Sequence, residues 1–388
     1  MDHMDMDPRI WSGLPDHLLE RVLSFLPLKT FLSLRSTCKH FKSILSSPLF
    51  ISKHSSSLSS SSSSSLSSFI LLSHPQFPHN KYPLYNTVTN SWCPVSLSIP
   101  SSTLKCSGNT TLLTSSNGLL CFSAPDSYSF VVCNLLTKSI RHVKYPFRPF
   151  AFELLTLVAV PTAPNNNNNN IAAYKLFMLS SSAAAAALVY DSEAGAWREY
   201  AAGGSAALNG TRHQNGVFFD GRVFFATSRP FSVACFDLEM GSWERSALGL
   251  LPPGGGGDEV AFARLVSDGD RRMYLVGGVG VSGISRSVKV WEYIYDREDG
   301  TNRWAEVETL PEMLCKKFLS VCYHNYEHVY CFWHKGLICV CCYTWPEILY
   351  YKVCRRTWHW LPKCPSLPHK WSCGFRWFSF NPQLYANV

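Results

Sequence analysis

The sequence has no apolar run approaching the roughly 20 residues that a membrane-spanning helix needs; its longest apolar stretches suit strands. It contains no G-x-S-x-G elbow, no phosphate-cradling glycine loop and no nucleophile spaced from a base in a recognisable way. Gly254–Gly257 follows Pro252-Pro253 without a lysine and reads as a loop. These absences argue against an enzyme, and no catalytic residue, cofactor or resident metal is expected. The opening segment carries Asp2, Asp5 and Asp7 where an export leader would be basic, so no targeting segment is expected. Fifteen cysteines, an odd number with no export signal, read as reduced thiols, which implies cytosol or nucleus. The cluster Cys315, Cys322, His324, His328, Cys331, His334, Cys339, Cys341 and Cys342 raises the question of zinc. Strand alternation, however, puts Cys339 and Cys341 on one face and Cys342 on the other, so buried strand thiols are expected instead.

What is present is apolar and aromatic: 46% hydrophobic and 14% aromatic residues over 388 positions supply a core for one large domain and one small one. The small one lies at the amino end. Leu14, Leu18, Leu19, Val22, Leu23 and Leu26 recur at offsets of three and four, which predicts an amphipathic helix opened by Pro15 and stopped by Pro27. A second stripe, Phe31, Leu34, Cys38, Phe41, Ile44 and Leu45, ends at Pro48. Helices this short bury too little surface to be stable alone. A partner is therefore expected.

Leu14-Pro15, Leu18-Leu19, Val22, Leu26-Pro27, Leu34-Arg35, Cys38-Lys39, Phe41, Ile44 and Pro48 with Phe50 resemble the F-box pattern along its full length. Phe41 stands where the family more often has tryptophan. The resemblance implies docking to a Skp-type adaptor, and through it to a cullin ligase, by Leu14, Pro15, Leu18, Leu19, Val22, Leu23, Leu26, Pro27, Leu34, Cys38 and Phe41.

Residues 55–68 are nearly all serine and cannot pack a core, so a linker or loop is expected; Asn165–Asn170, Ala183–Ala187 and Gly254–Gly257 read as loop insertions. Beyond the serine tract a repeat emerges, each unit having an apolar strand, a strand ending in a polar turn, and a bulky residue opening the last strand. The strands are Phe69–Leu72, Gly118–Phe122, Tyr174–Leu179, Val223–Ala226, Met273–Val276 and Val329–Trp333, and the bulky residues are Trp92, Ile140, Trp197, Trp243, Trp304 and Trp358. Separations of 48, 57, 46, 61 and 54 residues resemble those of kelch propeller blades. Gly277-Gly278 is the one glycine doublet that follows a blade strand as the kelch pattern asks. The expected fold is α+β and multidomain: a tail over 1–10, an all-α F-box over 11–54, a serine-rich linker over 55–68 and an all-β, six-bladed kelch-like propeller over 69–388. The apolar strand is expected to line the interior, and Phe375–Phe380 to close the ring against the first blade. Together these features resemble the plant F-box/kelch group.

Net charge is uneven: +1 over residues 1–50 (six basic, five acidic), +6 over 51–150 (seven, one), −4 over 151–300 (twelve, sixteen) and +5 over 301–388 (ten, five). A closed ring would join the two basic segments into one sector containing Lys105, Lys138, Arg141, Lys352 and Arg355, suited to acidic partners. Scattered solvated charges are the plainer alternative, and direct nucleic-acid binding is not expected. The resemblance implies a non-catalytic substrate-recognition subunit of a Skp–cullin–F-box ubiquitin ligase that recruits an unknown protein through propeller loops. The alternative is a non-degradative scaffold or transcriptional cofactor acting on a DNA-bound factor.

Overall fold

The computed structural model describes residues 13–24, 34, 37–45, 47, 50, 68–78, 80–94, 96–99, 101–104, 110–146, 152–160, 173–180, 187–201, 214–227, 231–245, 259–269, 271–295, 302–383, 386 and 388. Among the described residues, two short helices, α1 (Asp16–Ser24) and α2 (Lys39–Leu45), precede six four-stranded antiparallel sheets arranged as a six-bladed propeller. From the inner strand outward, blade 2 is Thr111–Ser116, Leu119–Ala124, Ser129–Asn134 and Ser139–Lys144. Blade 3 is Phe152–Val160, Ala173–Ser180, Ala187–Asp191 and Ala196–Tyr200, and blade 4 is Val217–Phe219, Arg222–Ala226, Val233–Asp237 and Ser242–Arg245. Blade 5 is Glu259–Ser267, Met273–Val281, Ile284–Tyr295 and Asn302–Thr309, and blade 6 is Val329–His334, Leu337–Cys342, Leu349–Lys352 and Thr357–Trp360.

Blade 1 takes its inner strand from the far end of the chain. Arg376–Phe380 pairs antiparallel with Phe69–Ser73, Phe380 opposite Phe69 and Arg376 opposite Ser73, and Leu84–Asn86 and Ser91–Trp92 complete the sheet. The aromatic tail closes the ring as expected, which removes the exposed edge that an open array would leave. Ser68, expected in the linker, is instead fully buried in that clasp, and Ala187 opens a buried strand; 55–67, 165–170 and 254–257 lie outside the described residues.

A local rule explains why the repeat forms. In blades 1, 3 and 4 the third strand ends in Asn or Asp, whose side-chain oxygen accepts the amides two and three residues on: Asn86 from Val88 and Thr89, Asp191 from Glu193 and Ala194, Asp237 from Glu239 and Met240; Asn134 of blade 2 accepts from Leu136, and in blade 6 the strand ends in Lys352. The residue four positions on then takes positive φ, as at Asn90, Lys138, Gly195, Gly241 and Arg356. The reversal sets the bulky residue of the fourth strand opposite an aromatic of the third: Tyr85 with Trp92, Tyr190 with Trp197, Phe236 with Trp243, Tyr293 with Trp304, Tyr351 with Trp358, at centroid distances of 5.0–5.4 Å. Such pairs contribute about 0.5–1.5 kcal/mol each beyond burial. In blade 2 the partner of Ile140 is Cys133, so the absence of tryptophan there matches the absence of an aromatic opposite.

The structure corrects the placement of the apolar strands. Except in blade 6, they are second in their blades rather than inner, and Leu337–Cys342 is the second strand there. The true inner strands carry a weaker apolar signal because one side of them borders a polar channel, as in Thr111–Ser116, and because Val217–Phe219 is only three residues long. Gly277 and Gly278 lie within the second strand of blade 5 rather than after it; a Cβ on Gly278 would stand 2.3 Å from the Phe262 ring. Gly278→Ala is accordingly expected to destabilise by about 1–3 kcal/mol through overpacking, read as a lower urea midpoint at unchanged m. One further element has no counterpart in the repeat. Helix Glu312–Val321 joins blades 5 and 6 and buries Cys315, Phe318, Leu319 and Val321.

Side chains lace every seam between blades. Ser115 donates to Ser379 O between blades 2 and 1, and Trp197 donates to Lys144 O between blades 3 and 2. Gly216 N donates to Thr156 Oγ1 between blades 4 and 3, and Gln214 reaches Leu265 O in blade 5 and both backbone groups of Cys331 in blade 6. Arg264, buried, donates to Val329 O and Tyr326 O across the seam from blade 5 to blade 6. The last seam holds Tyr330, whose hydroxyl donates to Phe375 O and accepts from Trp377 N, and Trp92, whose indole donates to Pro362 O.

Candidate functional site

Helix α1 starts where Pro15 O accepts the amides of Leu18 and Leu19 at 2.9 and 3.1 Å. Proline suits this position because its missing N–H has no helical partner to lose. The apolar stripe seen in the sequence divides into two rows one helical step apart. Leu19 and Leu23 are buried at 5% and 3% exposure, whereas Leu18 and Val22 are open at 41% and 40%. Pro15 is exposed and Leu14 half-buried, so the open row continues past the helix start. Leu26 and Pro27 lie outside the described residues.

Helix α2 is capped by Cys38, whose Sγ accepts the Phe41 amide at 3.3 Å, in the position that serine or threonine more often fills. Cys38 is exposed, Leu34 and Phe41 are half-buried, and Ile44 is buried. The two helices approach where His40 Nε2 lies 3.4 Å from Asp16 Oδ1, both side chains exposed. An apolar row left open on so small a module is a surface that lowers its free energy when covered.

The basic residues resolve into a pattern of turns. Because successive strands alternate in direction, the third-to-fourth-strand turns of all blades lie on one face of the ring. Lys138 is exposed in that turn of blade 2; Lys352, half-buried, opens it in blade 6, followed by exposed Arg355 and Arg356. Blade 1, between them, presents the uncharged turn Thr87–Asn90, while blades 3 and 4 present exposed Glu193 and Glu239. Ring closure thus brings the two basic segments to either side of blade 1. Arg141 is not available to this surface, since its Nη1 donates to Ser192 O at 2.6 Å, and Lys105 lies outside the described residues. Sequence reasoning missed Arg356 and Lys335, both at positive-φ turn positions that the Asx-turn spacing and the Lys335-Gly336 pair could have revealed.

The cysteines between 315 and 342 are buried packing groups. Cys339 and Cys341 share one core cluster with Ile70 and Tyr85, while Cys331 and Cys342 face another with Val340 and Tyr351. Burial pushes the Cys331 thiol up to about 12, which keeps it protonated and unreactive. Among the described residues no three His, Cys, Asp or Glu side chains gather as a metal site, and no helix is long and apolar enough to cross a membrane.

A small helical module ahead of a closed six-bladed propeller defines the class of F-box proteins that carry a propeller. The F-box domain pattern matches residues 11–53. The chain is 51% identical over 389 aligned positions to the F-box/kelch-repeat protein At5g43190 of Arabidopsis thaliana, covering 99% of this chain and 90% of that one, and it belongs to the F-box/kelch-repeat family. It is also similar to F-box only protein 6 (24% identity, covering 93% of this chain and 71% of the relative) and to protein UNUSUAL FLORAL ORGANS (23%, covering 93% and 80%), both of Arabidopsis thaliana. Among solved structures, a chain of a nidogen/laminin complex aligns with a TM-score of 0.40 at 10% identity, covering 82% of this chain and 99% of that chain.

Proposed function

We propose that the protein is the substrate-recognition subunit of a Skp–cullin–F-box ubiquitin ligase, itself non-catalytic, holding a protein target on the propeller while the F-box docks a Skp-type adaptor. The observation that carries this reading is the open row Leu18 and Val22 beside exposed Pro15 on a module too small to bury it. Leu14, Pro15, Leu18 and Val22 insert into the adaptor, and the F-box resemblance adds Leu26 and Pro27 to the contact. Leu34, Cys38 and Phe41 flank the contact, and Leu19 and Leu23 hold the helix in place from its buried side. The contribution to ubiquitin transfer is proximity, which raises the effective concentration of target at the charged enzyme. Affinity purification of the intact chain beside Leu14→Ala/Pro15→Ala tests the reading. Ligase subunits should disappear from the variant while target proteins remain; retention of the ligase subunits would overturn it.

A second reading, a scaffold or transcriptional cofactor held on a DNA-bound factor, is favoured by the sign separation of the turns. Deleting residues 14–50 separates the two, because target ubiquitination is lost under the first and transcriptional output survives under the second. The basic turns serve either reading by steering an acidic partner. Replacing Lys138, Lys352, Arg355 and Arg356 by glutamine is expected to slow association about tenfold at 50 mM salt and to have little effect at 500 mM, by stopped-flow. Unchanged association at low salt would leave these side chains as plain solvated charge.

A further inference from the structure

The inner strands of the six blades enclose a cavity of about 410 Å³, within the roughly 300–1,000 Å³ typical of small-molecule sites. Three charged side chains line it: Arg376, Lys335 and Asp268. Asp268 is committed to its own turn, Oδ1 accepting the amides of Arg271 and Arg272 at 2.9 and 2.8 Å. Arg376 donates Nη1 to Leu112 O and Nη2 to Leu113 O at 3.3 and 3.1 Å. Those bonds use two of its five N–H groups, and among the described residues no carboxylate pairs with it. Burial draws this guanidinium below the ordinary arginine range, and no nearby carboxylate offsets it. A cation sunk in a wall and answered only by carbonyl dipoles and the face of Phe378, 5.4 Å from its Cζ, is costly. The rest of the wall is mixed, with the polar residues Thr114, Ser116 and Asn215 lining it beside apolar ones such as Val217 and Phe378.

We propose that the channel binds a small polyhydroxylated anion of the sugar-phosphate class, its anionic group on the Arg376 guanidinium and its hydroxyls along Thr114, Ser116 and Asn215. A divalent cation is disfavoured by two cationic side chains against one committed carboxylate, and a purely apolar ligand would strand the hydroxyls. Lys335 stands toward the other end: its neighbour His334 bonds Ser379, three residues along the strand from Arg376 and so about 10 Å away. That distance suits the far end of a phosphorylated monosaccharide. This site is independent of the adaptor-docking row and of the reading built on it.

Titration calorimetry of the full-length chain with glucose 6-phosphate tests the proposal, with glucose and inorganic phosphate as the other arms. Saturable binding at least tenfold tighter than either arm is expected. Arg376→Gln and Ser116→Tyr, the second filling the channel from a half-buried position, should each weaken it at least tenfold. Lys335→Gln, at an exposed turn where folding is not at risk, should weaken it threefold or more. Absence of saturable glucose 6-phosphate binding, equal binding of glucose or of inorganic phosphate, or affinity indifferent to Lys335→Gln and to whichever channel variant folds, would each overturn it.

Discussion

Lowering the pH from 6.5 to 4 is expected to lower the melting temperature of the propeller by roughly 3–6 °C more in the native protein than in His334→Gln. His334 is fully buried at the ring closure, Nε2 lying 2.8 Å from Ser68 Oγ and 3.1 Å from Thr87 Oγ1, and Nδ1 2.8 Å from Ser379 Oγ. The network fixes the tautomer. Ser68 gives its hydroxyl proton to Asn381 Oδ1 and Thr87 gives its own to Ser68 O, so both must accept from Nε2–H. Nδ1 is then left to accept from Ser379. A proton on Nδ1 would oblige Ser379 to turn away and would place a charge where no carboxylate answers it. Burial, with Lys335 beside it, accordingly lowers the pKa from 6.5 to about 4.

The sign follows from proton uptake. Between pH 4 and 6.5 the unfolded chain binds a proton at this histidine that the folded chain refuses, so stability rises with pH across that window. The contribution is fully present above the unfolded value and is lost as pH falls toward the folded one. A gap of about 2.5 units corresponds to roughly 3 kcal/mol, of order several degrees for a domain this large. His334→Gln should be less stable at neutral pH, because the three hydroxyls lose part of their network, yet flatter toward acid. The difference between the two melting curves against pH is the measurement, since the other histidines cancel in it. Parallel curves would show that His334 is not the group responsible.

The ring closure also marks the limit of what the sequence could disclose. The outer half of each blade was legible because it is written in short range: an Asn or Asp ending one strand, a bulky residue about six positions on, and the aromatic it must face. The aromatic tail at 375–380 was legible for a similar reason, an alternating strand with no partner nearby. The inner strands of blades 2 to 5 were not: Val217–Phe219 is only three residues long, and the polar channel beside Thr111–Ser116 breaks its apolar alternation. Nor was the partition of α1. Periodicity gives the width of an apolar stripe but not what covers each row, and Leu18 and Leu19 are chemically identical neighbours of which one is open and one buried. The charge count located the basic segments correctly, but only the turn geometry distinguishes Lys138, exposed at a tip, from Arg141, held by a carbonyl of the next blade.

That partition makes the docking surface testable apart from the fold. Leu18→Asp/Val22→Asp is expected to weaken binding of a Skp-type adaptor by at least tenfold, because fully burying such a side chain is worth roughly 1.5–3 kcal/mol and about two-fifths of each remains open, which makes the pair worth about 1–2.5 kcal/mol before the cost of burying two carboxylates. The two positions are a helical turn apart on one row, so both lose the same contact and charge is introduced where water must be excluded. Neither is buried, and the propeller transition of the double variant should match the native one. Leu19→Asp/Leu23→Asp forms the control of opposite kind, placing two carboxylates at buried positions, where the helix itself should be lost, read as reduced far-ultraviolet helicity. Surface plasmon resonance with immobilised adaptor and scanning calorimetry on the same samples separate the outcomes. Full adaptor affinity in the Leu18/Val22 variant would place the docking surface elsewhere and remove the physical basis for the ligase assignment.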